Sequence, residues 1–215
     1  MAGPSDPTPV ADVRPLVAFG DFNCPFCYAL EERLTTRTVD AHVEWRLVEH
    51  APDLPAAMED ATAEEQHELA QEIATLIMRA PDVEIHRPSF RPRSGPAIRA
   101  LIAASHIDAT AADEFRLALF RALWLEGRNI ADSLVLDAVA SACGIREPLD
   151  GSAYVATATE WTAQWRAAKF NRIPCLVSRT DAKLLGLSTV ERLDLFLRSG
   201  IFGSQSDDAC ALSEP

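Results

Sequence analysis

Two cysteines separated by two residues, Cys24-Pro25-Phe26-Cys27, constrain this chain more than any other feature. They follow the apolar run Leu16-Val17-Ala18-Phe19, which reads as a short buried strand, and the exit segment Gly20-Asp21-Phe22-Asn23. Pro25 suits the first helical position, because its fixed φ fits a helix start and its missing N–H is not needed there. Cys24 then becomes the N-cap and Cys27 the third helical residue. A sulfur at the N-cap can accept the N–H of that third residue, and the positive end of the helix dipole also favours thiolate over thiol. Cys24 is therefore expected to be a low-pKa nucleophile and Cys27 the more enclosed resolving thiol.

The same spacing opens many zinc sites, which need two further ligands from a second C-x-x-C or a close histidine pair. Cys143, Cys175 and Cys210 are far apart, and His42, His50, His67, His86 and His106 are equally scattered. A redox dithiol is the favoured reading, with no metal expected; zinc and an inert cysteine pair are the alternatives.

Apolar residues make up 48 % of the 215 and charged residues 24 %, ordinary for a soluble globular protein able to bury a sizeable core. The net charge of -12 argues against general nucleic-acid binding, which needs a basic surface to replace counterions, and disfavours docking on anionic membranes. Residues 1–14 are rich in proline and carry no apolar core of a secretory signal. No run approaches the ~18 apolar residues of a spanning helix. A cytoplasmic protein is expected, in which a structural disulfide framework is out of place and a C-x-x-C pair is redox-active.

Val43, Trp45 and Leu47 alternate with polar residues within His42–Glu49, the pattern of a strand with one buried face. Strand, helix, strand favours a parallel pair with a crossover helix. From about residue 55 to 150 the chain reads as helical, an inserted subdomain rather than an independent unit. Thr62 and Glu65 form a capping box ahead of Leu69, Ile73, Leu76 and Ile77. A further helix starts near Ser94–Pro96 and runs through Ile98, Leu101 and Ile102. Another covers Asp113–Glu126 with Phe115, Leu119, Ala122 and Trp124, and one runs from Asp132 to Cys143 with Gly144 as its stop. Residues 153–168 form a helix with Trp161 and Trp165 one turn apart. A strand is entered over Asn171–Val177, a second spans Lys183–Gly186, and Thr189–Arg198 is a closing helix. One domain over residues 15–204 is expected, with flexible tails at 1–14 and 205–215.

This order of elements resembles the DsbA family, and within it the cytoplasmic FrnE-like branch. The resemblance spans about residues 15–200 and is carried by three segments: Phe22-Asn23-Cys24-Pro25-Phe26-Cys27-Tyr28, Leu119 to Ile130, and Arg172-Ile173-Pro174. It implies an α/β thioredoxin-like fold with a helical subdomain inserted after the second strand, and a thiol–disulfide oxidoreductase. By the resemblance, Ile173–Pro174 is a cis bond beside Cys24, and the Ile173 main chain is free to pair with an extended substrate; a trans proline at a strand start is the plain alternative. Pro25, Phe26, Ile173, Pro174 and Cys175 make up the expected substrate surface, while the Leu119–Ile130 segment is typical of the family and carries no chemistry. Two residues depart from the family pattern. Cys175 follows the proline where a non-thiol is commoner, so it is either a third redox thiol or a small buried residue at a strand start. Phe26 leaves no basic group between the cysteines, which predicts weaker oxidising power than a C-P-H-C site has.

No cofactor is expected beyond a recycling partner, either a low-molecular-weight thiol or a thioredoxin-type protein. The substrate is a disulfide- or thiol-bearing protein or small molecule, and the sequence chooses between neither these nor oligomeric states. Two other functions compete. The 2-hydroxychromene-2-carboxylate isomerases and kappa-class glutathione transferases share the helical insertion but typically lack the cysteine pair, so a glutathione-dependent isomerase or transferase is one. A non-catalytic binding module or holdase is the other. Arg79, Arg87, Arg91, Arg93 and Arg99 gather in one segment, able to meet the carboxylates of a small thiol or simply to pair with the helical block's acids. His67-Glu68-Leu69-Ala70-Gln71 lacks the second histidine of a metalloprotease helix. Cys143 reads as a buried helix end and Cys210 as an exposed bystander.

Overall fold

The computed structural model describes residues 16–36 and 43–199. The expected tails and Cys210 lie outside the described residues. β1 (Leu16–Gly20), α1 (Pro25–Thr35) and β2 (Val43–Leu47) form the opening unit. The helical block follows as α2 (Ala63–Arg79), α3 (Gly95–Ile107), α4 (Ala109–Trp124), α5 (Ser133–Ala142) and α6 (Val155–Ala167). β3 (Cys175–Val177), β4 (Lys183–Leu185) and α7 (Val190–Ser199) end the described chain. None of its helices is long and apolar enough to cross a membrane.

The four strands lie in the order β2-β1-β3-β4. β1 is parallel to β2, as a strand–helix–strand unit requires, and antiparallel to β3, which is antiparallel to β4. Side chains alternate across a sheet, so the register divides the residues between two faces. Ala18 stands opposite Trp45 and Leu176, and all three join the main core with Leu16, Leu47 and Leu184. α1 and the helical block, with Leu193 and Phe196 of α7, complete that core. Phe19 stands opposite Cys175, and these two form a smaller cluster with Val48 on the other face. Trp161, Trp165 and Phe170 cover this second face. No residue of α6 is fully buried.

Side-chain caps set the starts of α2, α4 and α5. Thr62 accepts the Glu65 N–H at 3.2 Å while the Glu65 carboxylate takes the Thr62 N–H at 2.7 Å, so α2 begins where the capping box was read. Gly144, at φ +82, ends α5, where a left-handed residue is needed to turn the chain. α4 starts earlier than the expected Asp113. The Asp108 carboxylate closes the gap after α3 by accepting the Thr110 and Ala111 N–H groups at 2.8 and 3.1 Å. Ile77, expected on the buried face of α2, is 52 % exposed, because Leu69, Ile73 and Leu76 fill that face. β3 begins only at Cys175. Pro174 has no N–H for the ladder, though its carbonyl accepts the Gly186 N–H at 2.7 Å, and the Ile173–Pro174 bond is cis.

α1 is tied along its length by charged groups. Glu31, nearly without exposure, pairs with Arg116 of α4 at 3.0 Å, and Glu32 holds Arg121 at 2.6 and 2.9 Å. Arg33 reaches Asp82 at 2.9 Å and the Ser188 carbonyl at 2.6 Å, and the Tyr28 hydroxyl donates to the Glu84 carbonyl at 2.9 Å. Removing one partner of the buried Glu31–Arg116 pair would cost about 3–5 kcal/mol, because the other charge would stay buried alone. The dithiol helix is thus held against the helical block, not merely laid upon it.

Candidate active site

The site grows from the end of β1. The Cys24 N–H bonds the Asp21 carbonyl at 3.2 Å, which turns the chain directly into α1 with Cys24 as its N-cap and Pro25 in the first turn. Phe22 is buried against Phe120, ring centroids 4.8 Å apart, and the Trp124 indole N–H donates to the Phe22 carbonyl at 2.8 Å. The Leu119–Ile130 segment therefore carries the buttress of the nucleophile loop. Gly20 completes the seat: a Cβ there would stand 2.6 Å from the Trp45 ring and 2.9 Å from the Cys27 sulfur. Glycine lets that sulfur lie against the strand, on the face of the main core.

Cys24 is 6 % exposed and Cys27 fully enclosed, and neither is in a disulfide. The expected cap hydrogen bond to the Cys24 sulfur is not made, because the Cys27 N–H goes to the Cys24 carbonyl at 3.1 Å. Burial pushes the Cys24 thiol up. Interaction with the Cys27 thiol, the charge of His50 and a smaller pull from the Cys27 main chain outweigh that, against Glu72, and leave Cys24 below its ordinary value. Burial, then the Cys24 thiol and its charge, hold Cys27 well above its own, although the Asp21 N–H approaches its sulfur at 3.5 Å. The two thiols are polarised in opposite senses.

His50 and Asp21 are the residues the sequence left unassigned. The parallel pairing of β1 and β2 extends one step past the strands, with the Val48 N–H on the Gly20 carbonyl at 2.8 Å. The two exits therefore leave the sheet side by side. One oxygen of the fully buried Asp21 accepts both the His50 N–H at 3.0 Å and its ring Nδ1 at 2.7 Å. The other oxygen takes the Asn23 N–H at 3.3 Å. Burial opposes the His50 charge, yet the hydrogen bond and charge of Asp21, with Cys24, raise it above the ordinary imidazole value. No basic group lies in the Pro25-Phe26 dipeptide, and the charge of His50 reaches Cys24 from the loop after β2.

The other expected site residues divide. Pro25 is buried at the helix start, and Phe26 packs half-buried against the main core. Ile173 packs against that same core, and the Phe19–Cys175 pairing brings the Ile173–Pro174 approach to the end of the sheet from which the Asp21–Cys24 turn leaves. Cys175 is the correction. Its register opposite Phe19 points its thiol to the second face, away from Cys24 and Cys27, so it is not part of the surface beside the nucleophile. Burial, with only Lys183 opposing, pushes it up to about 12. In the arginine segment, Arg91 meets Glu72 at 2.6 Å and Glu68 at 4.0 Å, and Arg79 reaches the Leu187 carbonyl at 3.2 Å. Cys143 is the half-buried C-cap of α5. A cavity of about 520 Å³ between α3 and α6 is lined by Glu49 and Gly95, but Cys24 is not in its wall. Among the described residues, no cluster of three or more His, Cys, Asp or Glu is placed to hold a metal.

The family described as DSBA-like thioredoxin domain matches residues 16–198. None of the curated proteins matches the chain. Among solved structures, a probable DsbA oxidoreductase from Streptomyces coelicolor is 17 % identical, with a TM-score of 0.65 over 88 % of this chain and 91 % of that one. The cytosolic disulfide reductase DsbM from Pseudomonas aeruginosa, also solved with GSH, is 17 % identical at a TM-score of 0.63 over 87 % of this chain and 98 % of its own. A 2-hydroxychromene-2-carboxylate isomerase is 16 % identical at a TM-score of 0.60, covering 87 % and 94 %. At these identities the likeness shows the fold.

Proposed function

Since this chain belongs to the DSBA-like thioredoxin domain family, we propose that it is a thiol–disulfide oxidoreductase working through Cys24 and Cys27. The observation that carries this is the placement of the two thiols: Cys24 is the slightly exposed N-cap of α1, and Cys27 is enclosed behind it against Gly20 of β1. That is the division of labour thiol–disulfide exchange needs, because the thiolate is the attacking form.

The Cys24 thiolate attacks one sulfur of a substrate disulfide, forming a mixed disulfide and releasing the other sulfur as a thiolate that takes a proton. Cys27 loses its proton and attacks the Cys24 sulfur. The Cys24–Cys27 disulfide forms, and the second substrate thiol leaves reduced. Two electrons pass from the pair to the substrate; in reverse, the oxidised pair takes two electrons from substrate thiols. Pro25 and Phe26 flank the reacting sulfur, and the Ile173 main chain with Pro174 offers an extended substrate its pairing edge. Cys175 has no place in the cycle. A low-molecular-weight thiol of the glutathione type is the recycling partner, a reading supported by the DsbM structure with GSH. In the cytoplasm, the compartment expected from the sequence, the pair's potential decides whether it stands as reductant or oxidant.

The test is equilibration of the pair against a graded glutathione buffer, with the species resolved by mass. A defined two-electron couple confined to Cys24 and Cys27 is expected. Its potential should fall short of the strongly oxidising end of the scale, about -120 mV, because Glu72 opposes the help that His50 gives the Cys24 thiolate. Absence of that disulfide at every poise would sink the reading and promote a redox-neutral glutathione-dependent isomerase or a binding module.

A further inference from the structure

We propose that His50, oriented by Asp21, is the charge partner that keeps Cys24 as a thiolate, so that the nucleophile is activated from the loop after β2 and not from within its own dipeptide. The inference rests on the oxidoreductase reading and goes beyond it by assigning two positioning residues.

Asp21 lies in the turn between β1 and Cys24, fully buried, and its backbone N–H approaches the Cys27 sulfur at 3.5 Å. A carboxylate in that place is costly unless it is paired and hydrogen-bonded. It is: one oxygen is taken by the Asn23 N–H, and the other grips the His50 main chain and ring together. This two-point hold fixes the imidazole's orientation and engages Nδ1, leaving Nε2 as the ring's other polar atom. Cys24 feels Cys27 from α1, His50 from the β2 exit and Glu72 from α2. His50 feels Asp21, Cys24 and Arg91. Arg91 has its own acids, Glu72 and Glu68, on α2. Among the described residues, His50 is then the cation whose charge favours the Cys24 thiolate, and the coupling between them runs both ways, as linkage requires. The sign follows. A protonated His50 favours the Cys24 thiolate, and a Cys24 thiolate favours protonated His50.

The test is the pH profile of Cys24 carbamidomethylation in the reduced full chain, resolved by mass, for wild type, His50→Gln, His50→Lys and Asp21→Asn. At about pH 6.5, His50→Gln should react on the order of tenfold more slowly, the size of one charge-assisted interaction, and should rejoin wild type on the alkaline plateau. His50→Lys should restore the fast rate at low pH, and Asp21→Asn should fall between. A His50→Gln profile that superimposes on wild type overturns the proposal and leaves the oxidoreductase reading standing. A wild type already slow at low pH overturns both. A readout free of mutation guards against misfolded variants. The NMR titration of His50 should move to lower pH when the dithiol is oxidised, because the thiolate is gone. A titration unmoved by oxidation overturns the pairing.

Discussion

Buried cysteines stand on both sides of the sheet, and their surroundings act on the thiols in opposite directions. Cys24 and Cys175 are both buried, and burial is the leading influence on each, in the same upward direction. On the second face only Lys183 opposes, and the Cys175 thiol ends at about 12 among Phe19, Val48 and the flanking tryptophans. On the first face the Cys27 thiol and the charge of His50 reverse the sign. Reactivity here is made by partners, not by access, which differs little between 6 % and 0 %.

The largest effect that could break this contrast is on turnover. Cys24→Ser should slow reduction of a small disulfide, followed by thiol release, by at least about 10³-fold, since the covalent route is gone. Cys175→Ala should keep the rate within about twofold. Equal losses would mean that the sheet does not separate the two thiols. Next comes native alkylation: at about pH 8, Cys24 should outpace Cys175 by at least about 10²-fold, and denaturant should erase the gap. A smaller effect sharpens the geometry of the first face. Gly20→Ala should cost about 1–3 kcal/mol in urea unfolding, because its Cβ must displace the Trp45 ring or the Cys27 sulfur.

The smallest expected effect is alkaline. Cys175 ionises far later folded than unfolded, so its contribution to stability is whole below the unfolded thiol's pKa and is lost as pH rises toward about 12. Between about pH 7 and 10 the reduced wild type should lose about 1–2 kcal/mol more than Cys175→Ala does. Cys24 runs the other way, its lowered pKa adding stability above the unfolded value and losing it as pH falls. Urea midpoints of both proteins at the two pH values decide it; parallel losses would mean that Cys175 is not held neutral.

Much of the fold was readable because local rules and packing agree. The Val43, Trp45, Leu47 alternation gives β2, Thr62 with Glu65 opens α2, and Gly144 closes α5. The thioredoxin-like order and the Cys24–Cys27 pair were legible for the same reason. What escaped depended on register. His50 is one of five scattered histidines until β1 and β2 pair in parallel and their exits emerge together. That signal was available, since residues following Leu47 must then neighbour residues following Gly20. The side taken by Cys175 is a question of parity relative to Phe19, and no run of three residues reveals it. The role of Trp124 spans 102 positions to the Phe22 carbonyl, beyond any local pattern.

The placement of Cys175 has a consequence under oxidative stress. A low-pKa cysteine attacked by peroxide becomes a sulfenic acid, which either condenses with a thiol or proceeds to irreversible acids. Cys24 has Cys27 on its own side of the sheet, and condensation there returns the ordinary disulfide of the cycle. Cys175, behind the strands, neither rescues Cys24 nor traps it in a wrong pairing. On the proposed cycle, damage at Cys24 would drain into a disulfide that a recycling thiol reduces, and Cys175 could join it only when the sheet itself comes apart.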